Sequence, residues 1–129
     1  MSREYLAPKG LGAPIEPYGH AIRCGNTLYL AGQVAFDEKN EIVGTGDPRV
    51  QAEQCWKNIE LAVKAAGGTI ANVVKIVIYL KDIRHAPHEV AVRERLFPKG
   101  RYPVCTMVQV ANLGLDRLLM EIDATAMLD

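Results

Sequence analysis

Residues 102–129, YPVCTMVQVANLGLDRLLMEIDATAMLD, read as two strands around a short polar turn, and their alternation decides the fold. The predicted strands run over 104–111 and 118–127. Successive strand side chains point to opposite faces. Leu118, Met120, Ile122 and Ala124 therefore form an apolar row, with Leu119, Glu121, Asp123 and Thr125 on the reverse. In the preceding strand Val104, Thr106, Val108 and Val110 share one face, and Cys105, Met107, Gln109 and Ala111 the other. With the Leu118–Ala124 row against the helices, the opposite face is expected to gather a thiol, an amide and two carboxylates among apolar neighbours. An acid set like Glu121 has to be paired or functional, because an unpaired buried charge is expensive.

Upstream, NVVKIVIYLK (72–81) is β-branched and strand-like, with Val74, Ile76, Ile78 and Leu80 on one face and Val73, Lys75, Val77 and Tyr79 on the other. Between it and Val104, Pro87 opens a short helix to about Phe97, and Pro98-Lys99-Gly100 breaks it. Before it, Asp47-Pro48 supplies an N-cap and a first helical residue. Ala52, Trp56, Ile59, Val63 and Ala66 then make a stripe at helical spacing, and Gly67-Gly68 ends the helix. AIRCGNTLYLAGQVAF (21–36) is a hairpin around Gly25-Asn26. Residues 37–47 form a loop, and residues 1–17 a surface arm with room for one short strand.

The order β-β-α-β-α-β-β, with an extra strand at the start, predicts an α+β domain over residues 1–129: a mixed sheet with two helices packed on one face. Two helices leave the other face bare. Val73, Val77, Tyr79 and Met107 would then lie in water, which predicts a homo-oligomer that covers them.

The 129 residues carry 15 basic and 15 acidic side chains, so no positive field awaits a phosphate backbone, and nucleic acid is not expected as a partner. No apolar run reaches membrane-span length, and MSREYLAPKG lacks the apolar core of a signal peptide. Cys24, Cys55 and Cys105 are odd in number and widely spaced, fitting neither a disulfide framework nor a zinc pattern. A cytoplasmic protein without metal or cofactor is the expectation.

IEPYGHAIRCGNTLYLAGQVA (15–35), WKNIELAVKAAGG (56–68), VVKIVIYLKDI (73–83) and YPVCTMVQVANLGLDRLLMEIDA (102–124) together resemble the RidA (YjgF) family of reactive-intermediate deaminases. The resemblance implies a chorismate-mutase-like subunit and a homotrimer with clefts between subunits. It also implies chemistry in which enamines and imines of amino acids are hydrolysed to keto acids and ammonia. Tyr18 falls on the family's cleft tyrosine and Glu121 on its water-directing glutamate. Gly32 falls on the cleft's Gly-Gln segment. The family's carboxylate-binding arginine falls on Cys105, and a common family cysteine on Met107; the polar residue often found near Val90 is missing.

A guanidinium fork grips a carboxylate with two charge-assisted bonds, each contributing about 1.5–3 kcal/mol, whereas a thiol is a weak donor. Binding of a 2-imino acid in the usual pose should therefore weaken roughly tenfold to a few hundredfold. The expected substrate is an enamine or imine other than the usual 2-imino acids; 2-aminomuconate deaminases of the same superfamily illustrate larger ones. A non-catalytic trimer binding a small metabolite in the same cleft is the alternative.

Individual residues keep two readings each. Glu121 is a water-directing acid or a structural carboxylate bonded to backbone amides. Cys105 is a nucleophile or, with Met107, an apolar wall. His20, two residues beyond Tyr18, is a titratable cleft group or partial replacement for the missing cation, or else a solvated strand-end imidazole. Arg23, Arg101 and Arg117 are candidates to supply the missing cation, and Trp56 is expected in the core.

Overall fold

A left-handed Gly25 (φ 59°) turns the chain between β2 (Ala21–Cys24) and β3 (Thr27–Leu30), the hairpin foreseen from Gly25-Asn26. The computed structural model describes residues 2–129. Its remaining elements are β1 (Arg3–Leu6), α1 (Pro48–Ala65), β4 (Val73–Leu80), α2 (Ala86–Leu96), β5 (Val104–Gln109) and β6 (Met120–Met127). The six strands form one sheet in the order β1-β2-β3-β6-β4-β5. The last strand is thus inserted at the centre, antiparallel to β3 and β4, while β4 and β5 run parallel through the α2 crossover.

The end signals of α1 act as their chemistry predicts. Asp47 accepts from the backbone N–H of Arg49 (3.1 Å) and Val50 (3.2 Å), satisfying amides that the helix leaves unpaired. At the other end Gly67 takes φ 83°, and the Gly67 and Gly68 amides close onto Lys64 and Val63. Ala52, Trp56, Ile59 and Val63 are fully buried, with Cys55 and Ala62 beside them, against Ile76, Ile78, Leu80, Met120 and Ile122.

Polar side chains on that same buried face of α1 tie the helix to loops. Gln51 donates to the carbonyls of Gly44 and Arg117 and accepts from the Leu119 amide (2.8 Å). Asn58 donates to the carbonyls of Val34 (3.0 Å) and Phe36 (2.9 Å). The Arg117 carbonyl and Leu119 amide are satisfied this way, while the Gly44, Val34 and Phe36 carbonyls gain a second donor beside the Asp47 amide, the Phe36 amide and the Gln54 side chain respectively.

Two expectations about faces need correction. A β-bulge shifts the β4–β6 register between Val73 and Lys75, so Val73 turns into the core and Val74 out of it. More consequentially, the parallel register pairs Cys105 with Ile76, Met107 with Ile78 and Gln109 with Leu80. Paired residues share a face, so Cys105, Met107 and Gln109 lie on the helix-covered side, opposite Glu121. Alternation within each strand was read correctly; the phase between the two strands was not, because one strand, β4, separates them in the sheet.

The bare face remains apolar. Val77 and Tyr79 are joined there by Tyr5, Tyr29, Val104 and Val108, of which Tyr29 is 55% and Val104 67% exposed. Among the described residues no helix is long and apolar enough to cross a membrane.

Candidate functional site

After Leu30 the chain leaves regular pairing and rejoins β6 through the Gln33–Ile122 bridge. From Tyr29–Thr125 to Gln33–Ile122, four steps on one side face three on the other, which is a bulge. Gly32 sits in it beneath Glu121. A β-carbon at Gly32 would overlap the Glu121 carboxylate, so this glycine is required for close approach.

Glu121 lies on central strand β6, paired with Tyr79 of β4 and flanked on its own face by Asp123. Its carboxylate is half-buried, and no protein donor bonds it among the described residues. Burial, followed by the Asp123 charge, raises its pKa above the usual carboxylate range. Within the one chain no backbone amide holds the Glu121 carboxylate, among the described residues.

Two hollows meet at this carboxylate. One, of about 260 Å³, is walled by Ile15, Tyr18, Val34, Phe36 and Leu115. The other, of about 510 Å³, runs past Tyr79, Asn112 and Asp123. Ala31, Gly32, Gly114 and Glu121 belong to both. Asp123 has its own pKa raised by burial, with Lys75 pulling the other way.

Tyr18 packs edge-on against His20, ring centres 5.8 Å apart. The His20 ring is fully engaged: Nε2 is 2.8 Å from the Gly12 carbonyl and Nδ1 3.4 Å from the Gln33 amide nitrogen. Gln33, itself buried, also donates to Ala31. Both ring nitrogens are thereby taken up by protein partners. His20 is thus a buttress that fixes Tyr18 and the Gly32 bulge, and it is not placed as a replacement cation.

Tyr18, Gly32 and Glu121 are brought together; Cys105 and Met107 are not. Met107 packs against the core under the helices, and Cys105 is exposed on edge strand β5 beside α2. Burial raises the Cys105 pKa, opposed by the Arg93 guanidinium, which leaves no activated thiolate. The suggested substitute cations also lie elsewhere. Arg23 bonds the Gly25 and Ala66 carbonyls, and neither Arg101 nor Arg117 lines either hollow.

Sequence reading missed a second cluster, at α2. Fully buried Glu89 accepts from the Trp56 indole N–H (3.0 Å) and from Arg93 Nε (3.0 Å) and Nη2 (2.6 Å). Trp56 is in the core as expected, edge-on to Phe97 at 5.6 Å. The Glu89-to-Arg93 spacing of four was visible, but nothing in the sequence put it beneath a tryptophan.

Residues 10–128 match the family described as Endoribonuclease L-PSP. The chain belongs to the RidA (YjgF) family. It is 31% identical over 119 residues to the 3-aminoacrylate deaminase RutC of Acinetobacter baylyi, covering 92% of this chain and 94% of that one. It is 33% identical over 108 residues to a 2-iminobutanoate/2-iminopropanoate deaminase of Dermatophagoides farinae, covering 84% and 80%. RidA from the Antarctic bacterium Psychrobacter sp. PAMC 21119 superposes with a TM-score of 0.89 at 30% identity, over 97% of this chain and 99% of that chain. These RidA relatives bear out the α+β fold and the resemblance read from the sequence, and at family level they support deaminase chemistry.

Proposed function

We propose that this chain is a hydrolytic deaminase of an enamine or imine metabolite, acting in clefts that three copies of it form together. The observation that carries the proposal is Glu121: half-buried, unbonded by protein, raised in pKa, and set above Gly32 where Tyr18 walls the hollow. A carboxylate with raised proton affinity suits proton transfer near neutrality. In the proposed cycle the enamine tautomerises to the imine and Glu121 takes a proton from water as its oxygen attacks the C=N carbon. Glu121 returns that proton to nitrogen, giving a carbinolamine; it then relays the hydroxyl proton to the same nitrogen as the C–N bond breaks, leaving a carbonyl and ammonia.

Assembly follows from the bare sheet face. Val77, Tyr79 and Val108 need a cover, and a second copy supplies it while closing the open side of the hollows at Glu121. It is also the arrangement in which a β5 edge from one copy can approach Glu121 of another, since within one copy the sheet separates them.

The relatives named for 3-aminoacrylate and 2-imino acids support the reaction class. Their substrates are not carried over, because Cys105 stands where the family's arginine resemblance falls. A larger enamine of the 2-aminomuconate kind is the candidate substrate, and the room of the joined hollows, about 260 and 510 Å³, supports it. A ribonuclease role has little support in a chain whose charges balance at 15 and 15.

Ammonia release over a panel containing 2-iminobutanoate, 3-aminoacrylate and 2-aminomuconate tests the reading. Turnover that vanishes in Glu121→Ala with the fold intact supports it. Cys105 is the observation favouring the second reading, a non-catalytic metabolite-binding trimer. Ligand-induced thermal shifts with no ammonia from any panel member would establish that one instead.

A further inference from the structure

The Glu89–Arg93 pair lies outside the Glu121 hollows. Arg93 borders a separate hollow of about 270 Å³ together with Val90, Glu94 and Tyr102, at the α2–β5 edge where Cys105 emerges. Its Nε and Nη2 are spent on Glu89, whereas Nη1 has no partner among the described residues. The Arg93 side chain is only 16% exposed and that of Glu89 not at all, and the Trp56 indole N–H anchors the carboxylate from beneath. This is a fork locked in place with one edge left over, the pre-organisation that a recognition group needs.

We infer that Arg93 is the specificity-determining donor of the cleft, and that it selects substrates presenting a neutral carbonyl oxygen, an amide or ester, at the position where a free guanidinium would select a carboxylate. The inference rests on the proposed inter-copy cleft and extends it, setting the α2–β5 edge of one copy against the Glu121 hollow of a neighbour. Its physical basis is charge. Glu89 cancels Arg93 inside the pair, and Glu94 adds a negative charge at the rim of the hollow. What remains at Nη1 is directed N–H donation without net positive charge. A carboxylate loses most of its advantage over an amide at such a group, and the rim charge repels it.

Pyruvate and pyruvamide are matched probes, alike except for the charge at the acyl end. Their dissociation constants, measured by ligand-observed NMR, test the inference without needing turnover. Wild type should bind pyruvamide at least as tightly as pyruvate. Arg93→Gln should weaken pyruvamide roughly tenfold. Glu89→Gln retains an oxygen acceptor for Trp56 but releases the arginine's charge, and should swing preference towards pyruvate about tenfold. Cys105→Arg should produce the same swing. A preference gained cannot arise from a damaged fold, so these last two variants guard against misfolding of the first. The inference is overturned by wild-type preference for pyruvate, by binding of neither probe, by unchanged pyruvamide affinity in Arg93→Gln, or by unchanged preference in Glu89→Gln. Ammonia release lost in Glu121→Ala but probe selectivity insensitive to Arg93 would leave the deaminase reading standing and remove this one. The reverse pattern would do the opposite.

Discussion

At the residue scale, Glu121 links function to a measurable stability signature. Its pKa in the folded protein is raised, mainly by burial, so between the unfolded and folded values the native state binds more protons than the unfolded one. Stability therefore falls as pH climbs through that window, and the full penalty stands above the folded value. Glu121→Gln removes the penalty. We expect it to lose about 10²–10⁴ of ammonia-releasing activity while melting at a higher temperature than wild type at pH 7.5, an excess that disappears in acid. Melting curves at pH 7.5 and pH 4 check the sign. Gly32→Ala should also impair turnover, because its added methyl overlaps the carboxylate; a normal melting temperature with full activity would contradict that. Both residues were legible in the sequence, Glu121 as an acid in an apolar strand and Gly32 through resemblance. The reason for Gly32 was not, since the contact depends on a bulge created by pairing residues far apart in the chain.

At the element scale, α1 holds the site through polar residues on its buried face. Asn58→Ala would take one bond each from the Val34 and Phe36 carbonyls, which keep the Phe36 amide and the Gln54 side chain as partners, costing about 0.5–1.5 kcal/mol and loosening the segment that walls the Tyr18 hollow. Urea unfolding measures the first effect, and a raised KM with nearly unchanged kcat the second. Glu89→Ala should cost more, about 3 kcal/mol or above, because it abandons both Arg93 and the Trp56 indole. The helix itself was plain from its caps and stripe. Its buried Gln51 and Asn58 occupy stripe-adjacent positions, and a polar residue there was the available signal that loops are tied to the helix. The face assignment of Cys105 and Met107 failed for a different reason. Alternation fixes which residues of one strand travel together, but the relative phase of β5 and β6 is set by register across the intervening β4, which local pattern does not encode.

At the scale of the whole molecule, the uncovered sheet face predicts self-association. Sedimentation analysis should find trimers, and Tyr79→Lys, which places a charge at the centre of the face, should shift the population to monomers and lower ammonia release with it. A monomeric wild type with full activity would remove the shared-cleft reading while leaving the family and fold untouched.

The sheet is a partition: the acid at 121 lies on one side, and the arginine of α2 on the other. No motion short of unfolding carries either through the wall, so under the proposed cleft a solitary chain could never bring both to one molecule. Specific activity should then depend on how concentrated the protein is, collapsing on dilution and returning when the sample is made dense again. Activity of the proposed kind would then belong to a quorum of chains and to no single one.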